Sequence, residues 1–156
     1  MGVRETFIHN FPDNRFDIVA LLDIVKVIEK VKREIKPGVV YTHHRGDLNI
    51  DHRITYEAVL TACRPIKGET VKEIYNFEVP SSTEWNFPNT FSPNVYIDIS
   101  GAIDKKVKAM KAYKGEIREW PHPRSAEAIK ILVRKRGCEV GLDIAEAFEL
   151  VRKIDE

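Results

Sequence analysis

The sequence predicts an α/β fold: a mostly parallel sheet with helices on both faces. Three observations carry this. An apolar, β-branched run, Gly38-Val39-Val40-Tyr41, leads into a polar loop and then into a helical pattern in which Ile54, Ala58 and Ala62 repeat at i, i+4 and i+8. A strand pattern from Glu5 to Phe11 and a long amphipathic pattern from Asp17 to Ile35 precede that run. Strand, helix and strand in this order form a βαβ unit, whose crossover is right-handed. Farther on, Val95-Tyr96-Ile97-Asp98-Ile99 alternates as a strand does, and a second helical pattern follows it.

Taken in order, Phe7, Ile8 and Phe11 are the apolar positions of the first strand, and Phe11-Pro12-Asp13-Asn14 turns the chain. In the helix from Asp17 to Ile35, the side chains of Leu21, Val25, Ile28 and Ile35 line one face. Lys26, Lys30, Lys32, Arg33 and Glu34 are expected in solvent. Lys36-Pro37-Gly38 stops this helix. Asn49 or Asp51 caps the helix after the polar loop, and Cys63-Arg64-Pro65 ends it. Ile74 to Val79 reads as a strand running into Pro80-Ser81-Ser82-Thr83-Glu84-Trp85. Phe87-Pro88-Asn89 and Ser92-Pro93-Asn94 belong to a long connection. After the strand at 95–99, Ser100 is a cap for a helix with Ile103, Val107, Met110 and Ile117 on one face. Its lysines read as solvated surface. Trp120-Pro121-His122-Pro123-Arg124-Ser125 breaks the helical pattern. Ser125 caps a helix from Ala126 to Arg136 that Gly137 closes. Asp143-Ile144-Ala145-Glu146 has the form of a capping box for a last helix carrying Ala145, Phe148 and Val151.

A chain of 156 residues fits a single domain, 1–156, and its 43% hydrophobic content suffices for a core. Lys and Arg total 25 against 24 Asp and Glu, which removes any electrostatic case for a nucleic-acid partner. Cys63 and Cys138 are too few for a disulfide framework and read as reduced thiols of a cytoplasmic protein. No run approaches the ~18 apolar residues of a membrane span. The sequence has neither a Gly-x-Gly-x-x-Gly segment nor a phosphate loop.

The chemistry concentrates between Thr42 and Arg53, which hold His43, His44 and His52, three of the five histidines, together with Asp47 and Asp51. This loop follows the C-terminal end of a strand, where open α/β sheets place their ligands. Asp51-His52 is a pairing found at metal sites, and His43-His44 adds nitrogen donors. The competing reading is a solvated turn with a helix cap. In Pro80 to Trp85, Trp85 stands beside hydroxyls and Glu84, a combination that suits a sugar: the ring stacks on its apolar face and the polar groups meet its hydroxyls. A Trp tucked under a loop is the alternative there. His122 and Arg124 are a third candidate group, against the alternative of an ordinary surface loop.

Thr42-His43-His44 followed by Asp47-Leu48-Asn49-Ile50-Asp51-His52-Arg53 resembles the second motif of the PIG-L/LmbE-like de-N-acetylases. The similarity continues through Phe11-Pro12-Asp13-Asn14, Glu78 to Trp85, and Pro121-His122-Pro123-Arg124-Ser125. The resemblance implies a Rossmann-like fold and zinc-dependent removal of an N-acetyl group from an N-acetylglucosaminyl-type substrate. Zinc polarises the carbonyl and lowers the pKa of bound water. The resemblance makes His52 a zinc ligand and Asp51 the acid that orients a site histidine. Asn49 stands where many members carry the histidine that stabilises the oxyanion, a job His43 or His44 would then take. Asn14, Arg53, Glu84, Trp85, His122 and Arg124 are the implied contacts to the amino sugar. The family's first motif, Ala-His-Pro-Asp-Asp-Glu, supplies two further zinc ligands and the general base, and these 156 residues do not contain it. The resemblance thus implies a chain without the N-terminal strands of the family fold, incomplete as an enzyme by itself, that forms a homo-oligomer. A non-catalytic sugar-binding relic and a subunit that completes a partner are the other readings.

Overall fold

The structure is a computed structural model describing Gly2 to Asp155. A 3₁₀ turn at Phe16–Ile18 precedes α1 (Leu21–Ile35), β1 (Val39–His43), α2 (Ile50–Ala62), β2 (Glu73–Phe77), β3 (Val95–Asp98), α3 (Ile103–Ala112), α4 (Ala126–Cys138) and β4 (Ala145–Lys153). The strand order is β1-β2-β4-β3. β1 and β2 are parallel, with Val40 beside Ile74, while β3 and β4 are antiparallel, with Ile97 beside Glu146. The Ile154 N–H donates to Lys72 O at 3.0 Å, joining the end of β4 to the start of β2, so β4 runs against β2 as well. The fold is mixed α/β, as expected, but the sheet, expected to be mostly parallel, has one parallel pair and is otherwise antiparallel. The described backbone divides into two compact units, one of Gly2–Phe91 with Leu150–Asp155 and one of Ser92–Glu149.

The first unit is built on Ile24 and Val25 of α1, Ala58, Val59 and Ala62 of α2, and Cys63, Val71 and Ile74. The spacing of small residues on α2 explains its close packing: Ala58 is fully buried and Ala62 nearly so. On α1 the buried positions are Ile24 and Val25, whereas Leu21 and Ile35, expected inside, are exposed. Instead, Val27, Ile28, Val31 and Ile35 line an open apolar groove of about 400 Å³ with Phe7, His9 and Val40. Lys32, expected in solvent, is half-buried and donates to Ala62 O and to the Glu69 carboxylate. Residues 5–11, read as a strand, form none and are mostly exposed. They make no ladder with another strand, β1 included, and β propensity is realised only through such pairing.

In the second unit Ser125 caps α4 as its sequence indicates, its hydroxyl accepting from Ala128 N at 3.0 Å. Gly137 lies inside α4 and not after it. The chain folds back over this residue, Leu142 N donating to Gly137 O, and backbone atoms of Leu142 and Ile144 occupy the place a Cβ would take. Ser100 is turned to Asp98 and leaves Ala102 at the start of α3, without a side-chain cap. The expected last helix is strand β4. Burial of Ala145 and Ala147 in alternation, and pairing with β3, override the capping-box pattern. Among the described residues no helix is long and apolar enough to cross a membrane.

Ile24→Ala is expected to lower stability by about 2–5 kcal/mol, whereas Leu22→Ala, at a position 58% exposed, changes it by no more than about 0.5 kcal/mol. Urea unfolding of the two variants measures the contrast.

Candidate active site

β1 ends at His43 and α2 begins at Ile50, and the turn between them is organised from inside by Asp47. This carboxylate has no solvent exposure. It accepts hydrogen bonds from the Ser82 hydroxyl, from Thr83 Oγ1 at 3.0 Å and from the Asn49 N–H at 2.9 Å. His52 Nδ1 stands 3.0 Å from Asp47 Oδ1. A buried carboxylate is tolerated only when so surrounded. The segment after β2 is thereby fastened to the turn after β1: Ser82 and Thr83 meet Asp47, and Leu48 N donates to Ser82 O. Glu84 stabilises that segment from within, accepting from the backbone of Ser81 and Ser82.

Asn49 is the helix cap. Its Oδ1 accepts from Asp51 N at 2.8 Å and His52 N at 3.4 Å, which starts α2 so that His52 lies in its first turn. The His43 ring stacks on the His52 ring, centroids 4.0 Å apart and 17° from parallel, and leans on Phe77 at the end of β2. Asp47 Oδ1 lies close to Nδ1, though not in line for a full hydrogen bond, and its charge favours the tautomer of neutral His52 with the proton on Nδ1, which leaves the Nε2 lone pair for a metal or a proton.

Burial pushes the Asp47 carboxyl up, but the hydrogen bonds from His52, Ser82 and Asn49 outweigh it and hold its pKa at about 2. His43 is lowered to about 4, first by burial and then by the neighbouring His52, with Asp47 opposing. The pair His52–Asp47 therefore presents a fixed negative charge behind one imidazole, while His43 stays neutral near pH 7.

Asn14, Asn49, Asp51 and His52 come together, but not in the roles the sequence suggests. The acid at His52 is Asp47. Asp51, expected to orient a site histidine, accepts from the backbone N–H groups of Asn14 (2.6 Å) and Phe16 (2.9 Å) and ties the 14–16 loop to α2. Asn14 receives Asn49 Nδ2 on its own carbonyl at 3.0 Å. His44 is fully buried, its Nδ1 accepting from Gly46 N and its ring edge-on to Phe91; it is His43 that reaches His52. Arg53 turns back to the carbonyls of Asp47 and Leu48, both at 2.7 Å. Trp85 is 44% exposed. His122 and Arg124 belong to the second unit, where Arg124 N donates to His122 Nδ1 and the Arg124 guanidinium pairs with Glu116. Asp47 was in plain view between Gly46 and Leu48. Only the Ser82-Thr83 hydroxyls, remote in sequence, reveal its part.

The arrangement fits one ligand position of a metal site, a histidine backed by a carboxylate. Among the described residues no group of three or more His, Cys, Asp or Glu side chains is set to hold an ion. The residues present thus fit one position and do not make a full site.

Asp47→Ala strands several buried donors and is expected to cost about 3–5 kcal/mol, read by denaturant unfolding. The pH dependence has a definite sign. The folded pKa values of His43 and Asp47 both lie below their ordinary 6.5 and 3.8, so the unfolded chain binds more protons. Their contribution is complete above about pH 6.5 and is lost on acidification, through about pH 4 for His43 and about pH 2 for Asp47. His43→Gln is expected to flatten the stability profile between pH 6.5 and 4, by up to about 3 kcal/mol.

Comparison with known proteins bears on the family and the fold. The profile of the family described as PIG-L: GlcNAc-PI de-N-acetylase matches residues 1–63, which include β1, the turn and α2. The chain is 31% identical over 120 residues to the "uncharacterized deacetylase YaiS" of Escherichia coli (strain K12), covering 73% of this chain and 59% of that protein. Its fold is similar to the conserved protein TT1542 from Thermus thermophilus (TM-score 0.71, 23% identity, 94% of this chain and 65% of that one). It is also similar to the N,N'-diacetylchitobiose deacetylase from Pyrococcus horikoshii (TM-score 0.69, 15% identity, 92% and 55%). The chain thus spans about three fifths of the length of the relatives it matches. The Thr42–Arg53 turn thus lies inside the segment that matches the PIG-L de-N-acetylase family, and the chain is similar to a deacetylase relative over 73% of its length.

Proposed function

We propose that this chain carries part of a zinc-dependent de-N-acetylase site whose substrate is an N-acetylglucosaminyl-type amino sugar. The observation that carries the reading is the Asp47–His52 pair at the head of α2, with His43 stacked against it. Asp47 fixes the His52 ring, so that Nε2 suits a zinc ion. Zinc, when bound, supplies an electrophile for the amide carbonyl and a water of lowered pKa. The chain's own residues orient: Asp47 holds His52, Asn49 and Asp51 hold the turn and the 14–16 loop, and neutral His43 walls one side. A catalytic zinc needs three protein ligands and an open position. The reading assigns His52 one of these.

The same reading includes a homo-oligomer. β1 ends the strand order, and Val39 and Tyr41 on it are 44% and 50% exposed, an edge that another chain can cover. Light scattering at high concentration is expected to give a mass above the monomer's; a compact monomer would contradict this.

Zinc affinity, measured by competition with a chromophoric chelator in the presence of a fragment carrying the family's first motif, tests the ligand assignment. His52→Ala is expected to abolish specific binding and Asp47→Asn to weaken it roughly 10- to 100-fold, whereas Asp51→Asn leaves it nearly unchanged. For catalysis, deacetylation of an N-acetylglucosamine substrate with zinc is expected only when a fragment carrying the family's first motif is added. Strong activity from this chain alone, lost in His52→Ala, would overturn that expectation.

A further inference from the structure

We propose that Glu84 is a positioning residue for His52. It braces the turn after β2, that turn aims two hydroxyls at Asp47, and Asp47 sets the His52 ring. This rests on the reading of His52 as a zinc ligand given above, and it assigns Glu84, expected at the sugar, an internal part in the same site.

The brace has a defined target. Ser81 has a φ of 68°, in the left-handed region that a residue with a Cβ rarely adopts. The Glu84 carboxylate accepts from the Ser81 N–H at 2.7 Å and from the Ser82 N–H at 3.3 Å. These N–H groups belong to the two peptide planes that flank the Ser81 Cα, and φ and ψ of Ser81 describe how those planes are turned. One side chain thus grips both planes and holds Ser81 left-handed, as a concave pair of N–H groups holds an anion. The turn closes on Val79. Its carbonyl accepts from Ser82 N at 3.1 Å and Thr83 N at 3.0 Å, and its N–H donates to Thr83 Oγ1 at 2.7 Å.

The two hydroxyls then point one way. Thr83 Oγ1 accepts from Val79 N, so its single proton goes to Asp47 Oδ2, 3.0 Å away. Ser82 Oγ accepts from Asn49 N at 3.4 Å and donates to Asp47 Oδ1. Ser82 and Thr83 are both buried, so water does not stand in for either hydroxyl. Both residues follow Ser81 directly. If Ser81 returned to a right-handed backbone, both hydroxyls would swing away from Asp47. The carboxylate would lose the partners that place it 3.0 Å from His52 Nδ1.

The test combines imidazole ¹⁵N NMR of the metal-free chain near pH 8 with zinc competition in the presence of a fragment carrying the family's first motif. Glu84→Ala is expected to reduce the Nδ1-protonated fraction of His52 and to weaken zinc binding up to about tenfold. Ser81→Gly added to it, which adopts the left-handed turn without steric strain, should recover most of both. Glu84→Gln, which keeps one acceptor oxygen, should give a smaller loss in the same direction. It carries the same comparison if the alanine variant does not fold. Ile24→Ala, destabilised in the core, should leave the His52 spectrum unchanged, which separates positioning from stability. An unaltered His52 spectrum in the Glu84 variants, a loss that Ser81→Gly does not recover, or an equal change in Ile24→Ala would overturn the inference while leaving the zinc reading intact. A wild-type chain that binds no zinc with the fragment present would overturn that reading, and this inference with it.

Discussion

Burying an ionised carboxylate costs several kcal/mol unless donors surround it. Asp47 has no exposed surface and meets that cost with the Ser82 and Thr83 hydroxyls, the Asn49 N–H and the His52 ring. The rest of the candidate site follows from this one group. It joins the turn after β1 to the segment after β2, two adjacent parallel strands whose C-terminal ends lie side by side. It also lies against the ring of His52, the histidine proposed as a metal ligand. Because its partners come from two segments, 49–52 after β1 and 82–83 after β2, the site exists only once both strands are paired.

Asp51 illustrates the difference between adjacency in sequence and contact in space. It precedes His52, yet residues one apart on a helix point to different sides. Its carboxylate sits in the first turn of α2, where the helix dipole favours a negative charge. From there it accepts two backbone N–H groups of the 14–16 loop. The Phe11–Phe16 edge contact at 5.6 Å and the packing of both rings against the core complete the attachment. Two acids four residues apart thus divide the work: one orients the histidine, and the other brings a distant loop to the same corner.

Local patterns made much of the fold legible. The apolar run at β1, the stop at Lys36 with its positive φ, the Asn49 and Ser125 caps, and the Ala58/Ala62 face of α2 each state their structure within a few residues. Position relative to other strands was not legible. Residues 5–11 have strand chemistry and no ladder, and 143–151 has a helix start and becomes β4 because β3 is there to pair with it. The site divides the same way. The motif led to His52 and the cap, while the partners of Asp47 are 35 and 36 residues away in the chain and no spacing rule reaches them. His43 and His44 are indistinguishable by type. Alternation along β1 sends His44 inward and leaves His43 to stack on His52.

The central claim is that Asp47 holds His52 with its proton on Nδ1 and a free lone pair on Nε2. Imidazole ¹⁵N NMR of the metal-free protein near pH 8 tests it most directly. The account predicts that His52 gives a protonated Nδ1 and a deprotonated Nε2, and that this tautomer preference is lost in Asp47→Asn and kept in Asp51→Asn. A His52 protonated on Nε2 in the wild-type protein, or a tautomer that follows Asp51 and ignores Asp47, would contradict it.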